Sequence, residues 1–271
     1  MNPSAGLAKR LAPPLLLQPA VAMAGAEIRF GLQTPQTIVA RQIDDLHAVV
    51  LVICILIAVV VFGIMLYSVL KYRKAPGREA SQFSGNTPME ITWTVIPCLI
   101  LAGIAYPATR TVIEMKDTSS PDLTIKVTGY QWKWRYTYLN ENIDFFSGLS
   151  TPRDQIENRA PKGEHYLLEV DYPMVVPVGK KVRILTTADD VIHSWWVPAL
   201  GVKQDAIPGL VRDSWFKVDA PGTYRGACTE LCGKEHGFMP VVVVALPEPA
   251  YQQWVADQHA MSAATAAAEP K

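Results

Sequence analysis

Two long apolar runs near the N-terminus dominate the pattern of hydrophobic and polar positions. Residues 49–70 carry no charged side chain, and a helix of that length spans about 33 Å, enough to cross the hydrocarbon core of a membrane. A second run covers about 91–109 and contains two prolines, which membrane helices tolerate because neighbouring groups satisfy the freed carbonyls. We therefore predict a transmembrane hairpin with helices at about 46–70 and 91–112.

The segment between the two runs is basic and predicts the orientation of the hairpin. It contains four positively charged residues: Lys71, Arg73, Lys74 and Arg78. Basic loops stay on the cytoplasmic side of a membrane. Both flanks of the hairpin, and everything after residue 115, are therefore expected on the outer side. The N-terminal segment and the hairpin together would occupy residues 26–115.

The first 25 residues have the composition of a secretory signal peptide. Lys9 and Arg10 precede a short apolar stretch, and a run of small residues at 20–26 offers a cleavage site. A leader without structure is the alternative that this pattern leaves open. Export of the following residues agrees with the topology that the basic loop predicts.

From residue 122 onward the chain changes to short stretches in which apolar and polar residues alternate, separated by proline and glycine. Many short strands with turn signals predict an all-β sandwich or barrel, here over residues 116–248. The segment 249–271 would be a tail with a short surface helix. The expected strands are 123–128, 133–138, 165–170, 181–186, 214–218, 222–226 and 240–246.

Composition agrees with a membrane portion and argues against nucleic acid as a partner. Hydrophobic residues make up 49% of the chain and charged residues only 18%, which is apolar for a soluble protein. The 25 basic and 25 acidic residues cancel, so no general attraction to a polyanion is expected.

The segment 228–239 combines two thiols, an imidazole and a thioether at the spacing C-x3-C-x3-H-x2-M. Sulfur and imidazole ligands select copper over ions that prefer oxygen, and His193 offers a second imidazole. Two thiolates are enough to bridge two coppers, which favours electron transfer. Glu230 lies between the cysteines, and its backbone carbonyl is placed to be a further weak ligand. A zinc site or a disulfide is the alternative, but neither accounts for the histidine and methionine at these offsets.

These features together resemble subunit II of the haem–copper cytochrome c oxidases of the bacterial, copper A-containing type. The resemblance covers nearly the whole chain after the leader. It implies a two-helix transmembrane hairpin followed by an all-β cupredoxin-like Greek-key sandwich or barrel. Five motifs carry it: TPMEITWTVIP (87–97), GYQWKW (129–134), DVIHSW (190–195), GVKQDAIPG (201–209) and CTELCGKEHGFM (228–239).

The resemblance implies a role for each matching residue. The carboxylate of Glu230 would help to bind a Mg²⁺ or Mn²⁺ ion at the boundary with subunit I. Trp132 would be the entry point for electrons from cytochrome c, and Glu90 would lie at the mouth of a proton path in subunit I. Asp205 would lie near the contact with that subunit. The dinuclear copper A centre would be held by His193, Cys228, Cys232, His236, Met239 and the carbonyl of Glu230.

The function implied by the resemblance is electron transfer in a respiratory chain. The chain would accept one electron at a time from cytochrome c and pass it to haem in subunit I. Reduction of O₂ and proton translocation would occur in that partner, and subunit III would be a further neighbour. The protein would then be a multi-pass component of a bacterial inner membrane, with the copper domain on the periplasmic side.

One stretch departs from the family pattern. Family members often carry several acids after the Gln-Trp-x-Trp strand, which attract a basic cytochrome c. Here residues 135–144 contain only Glu141 and Asp144 as acids, while Asp189 and Asp190 remain available. Electrostatic steering is therefore expected to be weaker, or the donor less basic.

Three other functions are compatible with parts of the pattern. A quinol oxidase subunit shares the scaffold but lacks copper, and the intact ligand set argues against it. A membrane-anchored copper carrier needs open, exchangeable ligands, whereas this set closes the coordination. Nitrous oxide reductase has a similar loop, together with a much larger catalytic domain.

Overall fold

A computed structural model gives the structure of the protein over these residues: 31–74, 76–77, 79, 82 and 84–268. The predicted signal peptide (1–25) and Arg78 of the basic loop lie outside the described residues. Two helices, α1 (Ile38–Lys71) and α2 (Thr87–Met115), come first and are long and apolar enough to cross a membrane.

Both helices begin several residues before the apolar runs that predicted them. The hydroxyl of Thr37 accepts the amide N–H of Ala40 at 3.0 Å and caps α1. The side chain of Asn86 accepts the amide N–H of Met89 at 3.2 Å and caps α2. Ser, Thr, Asn and Asp are favoured at this position because they satisfy an otherwise unpaired amide. Charged and amide side chains at 41–45 of α1, and Glu90 in the first turn of α2, separate these starts from the apolar runs, so hydropathy alone did not include them.

The described residues after α2 contain ten strands in two five-stranded sheets, with the orders β3-β2-β1-β5-β8 and β4-β10-β9-β6-β7. The predicted all-β sandwich is therefore confirmed. The pairs β1–β5 and β4–β10 are parallel, and the other neighbouring strands in these orders are antiparallel. The β6–β9 pair is the shortest of these ladders, with two residues from each strand. The strands are β1 (Leu123–Tyr130), β2 (Lys133–Tyr138), β3 (Ile143–Ser147), β4 (Met174–Pro177), β5 (Lys181–Ala188), β6 (His193–Val197), β7 (Val202–Ala206), β8 (Arg212–Lys217), β9 (Gly222–Cys228) and β10 (Pro240–Leu246).

The core between the sheets is rich in aromatic side chains. Trp134, Tyr136 and Tyr138 alternate along β2 and are fully buried, as expected for a strand with one face in the core. Trp195 of β6 stacks on Phe216 of β8, with ring centroids 6.2 Å apart. The Trp195–Phe216 contact joins strands of different sheets, and large buried rings of this kind stabilise the sandwich because each removes a large apolar area from water.

The predicted strand at 165–170 is wrong. Leu167 has a positive φ of 63°, and the amide N–H of Leu168 donates to the carbonyl of His165 at 2.9 Å. The segment is therefore a series of turns, and Val170 alone forms an isolated bridge, with Leu149. The segment lies in the long connection between β3 and β4, which also contains the short helix α3 (Arg153–Ile156).

The C-terminal segment forms a helix, α4 (Glu248–Ala268), which is longer than the short surface helix expected and contributes side chains to the core. Tyr251 and Val255 are buried, and the ring of Trp254 lies 5.3 Å from that of Tyr138. The spacing of these apolar residues places them on one helical face. The first turns of α4 therefore pack against the sandwich.

The segment before α1 binds directly to the β domain. The amide N–H of Gln36 donates to the carbonyl of Ala199 at 2.8 Å, and the hydroxyl of Thr37 donates to the carbonyl of Leu200 at 2.9 Å. Gly201 has a φ of 68°, and a β-carbon there would lie 2.8 Å from the backbone of Ala40. Glycine is thus required where α1 meets the connection between β6 and β7.

Candidate metal centre

The candidate ligands come from the start of β6 and from the loop between β9 and β10. Strands β6 and β9 pair, with Trp195 opposite Cys228. This pairing brings His193, at the start of β6, beside Cys228. The amide N–H of Cys228 donates to the carbonyl of Met239 at 2.9 Å. This bond joins the two ends of the loop, so Cys228 and Met239 are both held by the sheet.

Two imidazole nitrogens each lie against one of the two sulfurs. The Nδ1 atom of His193 is 3.9 Å from Sγ of Cys228, and the Nδ1 atom of His236 is 3.4 Å from Sγ of Cys232. The two sulfurs are 3.8 Å apart, far beyond the length of about 2.05 Å for a disulfide bond. The site thus has two matched pairs of sulfur and nitrogen donors, with the cysteines as free thiols.

Three of the candidate ligands are buried, unlike the members of an ordinary group of surface side chains. The donor atoms of His193, Cys228 and Cys232 lie within 4.8 Å of one another, and all three residues are buried. The carbonyl oxygen of Glu230 is 3.4 Å from Sγ of Cys228, while the rest of Glu230 is exposed. The side chain of Met239 is fully buried.

The thiols differ in their protonation. Burial raises the pKa of Cys228, but hydrogen bonds with His193 and with two backbone groups outweigh it and lower that pKa. Burial and the neighbouring charge of Cys228 raise the pKa of Cys232. Cys228 therefore loses its proton at a lower pH than Cys232. A bound cation would stabilise both as thiolates. Because thiolate and imidazole donors favour soft metals over ions that prefer oxygen, the donor set fits a soft metal.

Asp190 orients His193. Its carboxylate lies 2.8 Å from Nε2 of His193 and accepts the amide N–H groups of Gln131 at 2.7 Å and Val191 at 2.6 Å. A carboxylate on the outer nitrogen of a ligating histidine fixes the ring and its tautomer, which leaves Nδ1 facing the sulfurs. Burial alone would raise the pKa of Asp190, but these hydrogen bonds lower it.

The role of Asp190 corrects a sequence-based expectation. We expected Asp190 to be available as a docking charge, whereas its carboxylate oxygens are engaged inside the site. The spacing Asp-x-x-His was the signal that could have indicated this contact. The contact also affects His193: burial alone would lower the pKa of the imidazole, but Cys228 and Asp190 together raise it.

Trp132 lies at the tip of the hairpin between β1 and β2 and touches the same loop. Its indole N–H donates to the carbonyl of Cys232 at 3.2 Å, and the side chain of Gln131 donates to the same oxygen at 2.8 Å. A β-carbon on Gly233 would lie 3.2 Å from the indole ring. Trp132 is half-buried, so it connects the protein surface with a candidate ligand.

Two other predicted residues are placed differently. Glu90 is in the first turn of α2, and its carboxylate accepts the amide N–H of Asn86 at 3.3 Å; it lies next to the basic loop and is separate from the cluster. Asp205 of β7 pairs with Ser194 and accepts its hydroxyl at 2.9 Å. Asp205 is therefore adjacent to the strand that carries His193.

Comparison with known proteins identifies the family. The family model for the periplasmic domain of cytochrome c oxidase subunit II matches residues 123–246, and the model for its transmembrane domain matches residues 25–111. The chain belongs to the cytochrome c oxidase subunit II family. Membership agrees with the resemblance found in the motifs, and it identifies the β domain as cupredoxin-like and copper-binding.

Individual relatives extend over most of the chain. Cytochrome c oxidase subunit 2 of Cereibacter sphaeroides is 39% identical over 238 residues, covering 83% of this chain and 78% of the relative. The subunit of Cyanidium caldarium is 38% identical over 232 residues, covering 84% and 89%. The crystal structure of the periplasmic domain of subunit II (CoxB) of Bradyrhizobium japonicum is 40% identical, with a TM-score of 0.47, and covers 52% of this chain and 96% of that chain.

Proposed function

We propose that this chain accepts electrons from cytochrome c at a dinuclear copper A centre and passes them to haem in subunit I. Reduction of O₂ coupled to proton pumping would take place in that subunit. The observation that carries the proposal is the pair of sulfur–imidazole contacts, a buried one of 3.9 Å and a half-buried one of 3.4 Å, on two sulfurs 3.8 Å apart. A single-copper site needs one thiolate, whereas this arrangement supplies a matched donor pair for each of two ions.

The ligands of this centre would be the two cysteines, the two histidines, Met239 and the carbonyl of Glu230. When bound, the two bridged coppers would supply a one-electron carrier whose charge is shared between both ions. The chain itself keeps the donors fixed: Asp190 holds His193, and the carbonyl of Met239 holds the backbone of Cys228. Fixed donors in a buried pocket limit rearrangement of the surroundings when charge changes.

Electron entry is proposed at Trp132. Its half-exposed indole is hydrogen-bonded to the carbonyl of Cys232, so a donor that contacts the ring is one side chain away from the centre. A tryptophan that only filled the core would be expected to be fully buried, as Trp134 and Trp195 are. The donor in this proposal is cytochrome c.

The hairpin is proposed to bind subunit I, with subunit III as a further partner. Apolar side chains are exposed along both α1 and α2, which is expected for helices that face lipid or another membrane subunit. Glu90 would lie at the entrance of a proton path in subunit I. The carboxylate of Glu230, which is exposed beside the ligand carbonyl, would contribute to a Mg²⁺ or Mn²⁺ site at the same boundary.

The proposed location is a bacterial inner membrane, with the β domain on the periplasmic side. Lys71 is the last residue of α1, and Arg73 and Lys74 follow it at the end assigned to the cytoplasm, in agreement with the rule that basic loops remain inside. The β domain is attached to the opposite end of the hairpin, through Thr37 before α1 and through Glu114 near the end of α2, whose carbonyl accepts the indole N–H of Trp215 at 3.1 Å.

The function is tested in the assembled oxidase by following electrons from reduced cytochrome c to haem in stopped flow without O₂. We expect Cys232→Ser to abolish rapid haem reduction, because the shared sulfur is lost. Ser194→Ala, which removes a hydroxyl beside the site but no ligand, is the matched control and should retain rapid reduction. Haem reduction by cytochrome c at the wild-type rate in Cys232→Ser would contradict the proposal.

A further inference from the structure

The two transmembrane helices leave a groove between them that no described side chain fills. Its volume is about 650 Å³, within the range of sites that bind small molecules. Gly103 of α2 lines the groove, and a β-carbon built there would meet nothing within 4 Å. Small residues in membrane helices usually allow two helices to approach closely, whereas this one borders an open space.

The groove has the length of one acyl chain. Its lining extends from Gln42 to Ile53 on α1 and from Glu114 back to Leu99 on α2. At about 1.5 Å per residue, these stretches are about 17 and 22 Å long. One leaflet supplies half of the hydrocarbon core, or about 15 Å. The groove therefore begins at the end of the hairpin that is bonded to the β domain and reaches the depth of a lipid tail.

The lining changes from polar to apolar along this length. Charged and amide side chains form the mouth, which consists of Gln42, Asp45, Arg110 and Glu114. Deeper in the groove the side chains are aliphatic, as at Val49, Ile53, Leu99, Ile100 and Ile104. A molecule with a polar head and a hydrocarbon tail matches this division.

The polar groups at the mouth are incompletely paired. Among the residues that the structure describes, no hydrogen bond or ion pair engages the side chain of Asp45 or Arg110. The carboxylate of Glu114 accepts the side-chain N–H of Gln42 at 2.6 Å. The other side-chain atom of that amide, Oε1 of Gln42, is buried and receives no hydrogen bond from the described residues. The mouth thus presents a cation, a carboxylate and a buried acceptor.

We propose that this groove binds one phospholipid of the phosphatidylethanolamine class, with its head at the mouth and one acyl chain between α1 and α2. The phosphate would accept hydrogen bonds from Arg110, whose planar fork of donors suits phosphate. The primary ammonium carries three N–H donors and would donate to Asp45 and to Oε1 of Gln42. A phosphatidylcholine head has the same charges without an N–H donor, and a phosphatidylglycerol head has no cation. The proposal is independent of the proposed electron transfer.

The test uses the complete oxidase, stripped of lipid in detergent and reconstituted into liposomes. The liposomes contain a phosphatidylethanolamine with a photoreactive diazirine in the middle of one acyl chain. After illumination, labelled peptides are mapped by mass spectrometry, and we expect labels within 46–53 and 99–104. Unlabelled phosphatidylethanolamine should compete about tenfold better than phosphatidylcholine or phosphatidylglycerol with the same acyl chains, because only its ammonium adds charge-assisted hydrogen bonds.

Variants with matched controls separate the tail from the head. Gly103→Leu fills the groove and should abolish the labelling. Its control, Gly63→Leu, makes the same change on α1 at another glycine with open space around it, outside the groove, and should label like the wild type. Arg110→Gln should weaken labelling about tenfold. Asp45→Asn should lower the preference over phosphatidylcholine, whereas Asp44→Asn, which changes a neighbouring residue outside the groove lining, should keep it.

Three results would overturn the proposal. Labels on other surfaces of the chain with none in the groove would show that a side chain of another subunit fills it. Equal competition by the three lipids would show that the groove takes up lipid without recognising the head. Equal labelling of Gly103→Leu and Gly63→Leu would show that the tail does not lie between the helices.

Discussion

Replacing Asp190 by asparagine is expected to weaken copper binding although Asp190 is not a ligand. Its Oδ1 atom accepts hydrogen bonds from Nε2 of His193 and from the amide N–H of Val191, while Oδ2 accepts one from the amide N–H of Gln131. Asparagine has a single side-chain oxygen. In either orientation of the amide, its NH₂ group therefore faces at least one of these N–H donors.

The size of the effect follows from what these contacts hold. Loss of a partner that orients a ligating histidine typically costs about 10- to 100-fold in metal affinity, which corresponds to about 1.4–2.8 kcal/mol. Part of the effect would come through Gln131, because its side chain binds the carbonyl of Cys232. We expect the higher part of the range if the ring of His193 rotates, and the lower part if only the hydrogen bond weakens.

The assay is copper affinity of the purified full chain in detergent, by competition with a chelator at fixed pH. Asp189→Asn is the matched control, since it removes the same charge from the neighbouring exposed residue without touching His193. An affinity of Asp190→Asn within about twofold of the wild type, or an equal loss in Asp189→Asn, would refute the reasoning that the carboxylate orients the ligand.

Two further substitutions test the scaffold that holds the site. Gly226→Ala places a β-carbon 1.8 Å from the carbonyl oxygen of Trp196, so we expect destabilisation of about 3 kcal/mol or more; an unchanged thermal midpoint would contradict this. Tyr138→Phe removes a buried hydroxyl that accepts the amide N–H of Val175 and donates to its carbonyl, both at 2.8 Å. Its expected cost is about 1–3 kcal/mol, measured by urea unfolding, and a loss below about 0.5 kcal/mol would show that water replaces the hydroxyl.

The parts of the molecule that sequence predicted well have signals of short range. The ligand loop has its sulfur and imidazole groups within twelve residues, and a loop closed by β9 and β10 brings them together. The apolar run 49–70 has no other physical use than a membrane or a large core. The strand β5 alternates strictly between buried and half-buried residues, which is the pattern that sequence reasoning detects.

The missed elements depend on partners that are distant in sequence. All residues of β4 are buried, so no alternation indicated a strand there. The stretch 165–170 alternates but forms turns, because the positive φ of Leu167 is incompatible with an extended strand. Tyr251 and Val255 are buried because α4 packs on the sandwich, where Trp254 contacts Tyr138 of β2 and Phe145 of β3. Asp190 looked like a free charge because its contact with His193 depends on the fold.

The most direct test of the account is the EPR spectrum of the full chain, purified in detergent and loaded with copper. Two sulfurs 3.8 Å apart, each against one imidazole, predict a hyperfine pattern from one unpaired electron shared equally between two copper nuclei. A pattern from a single copper nucleus, or a chain that takes up zinc and gives no copper signal, would contradict the central claim that this site is a two-copper electron carrier.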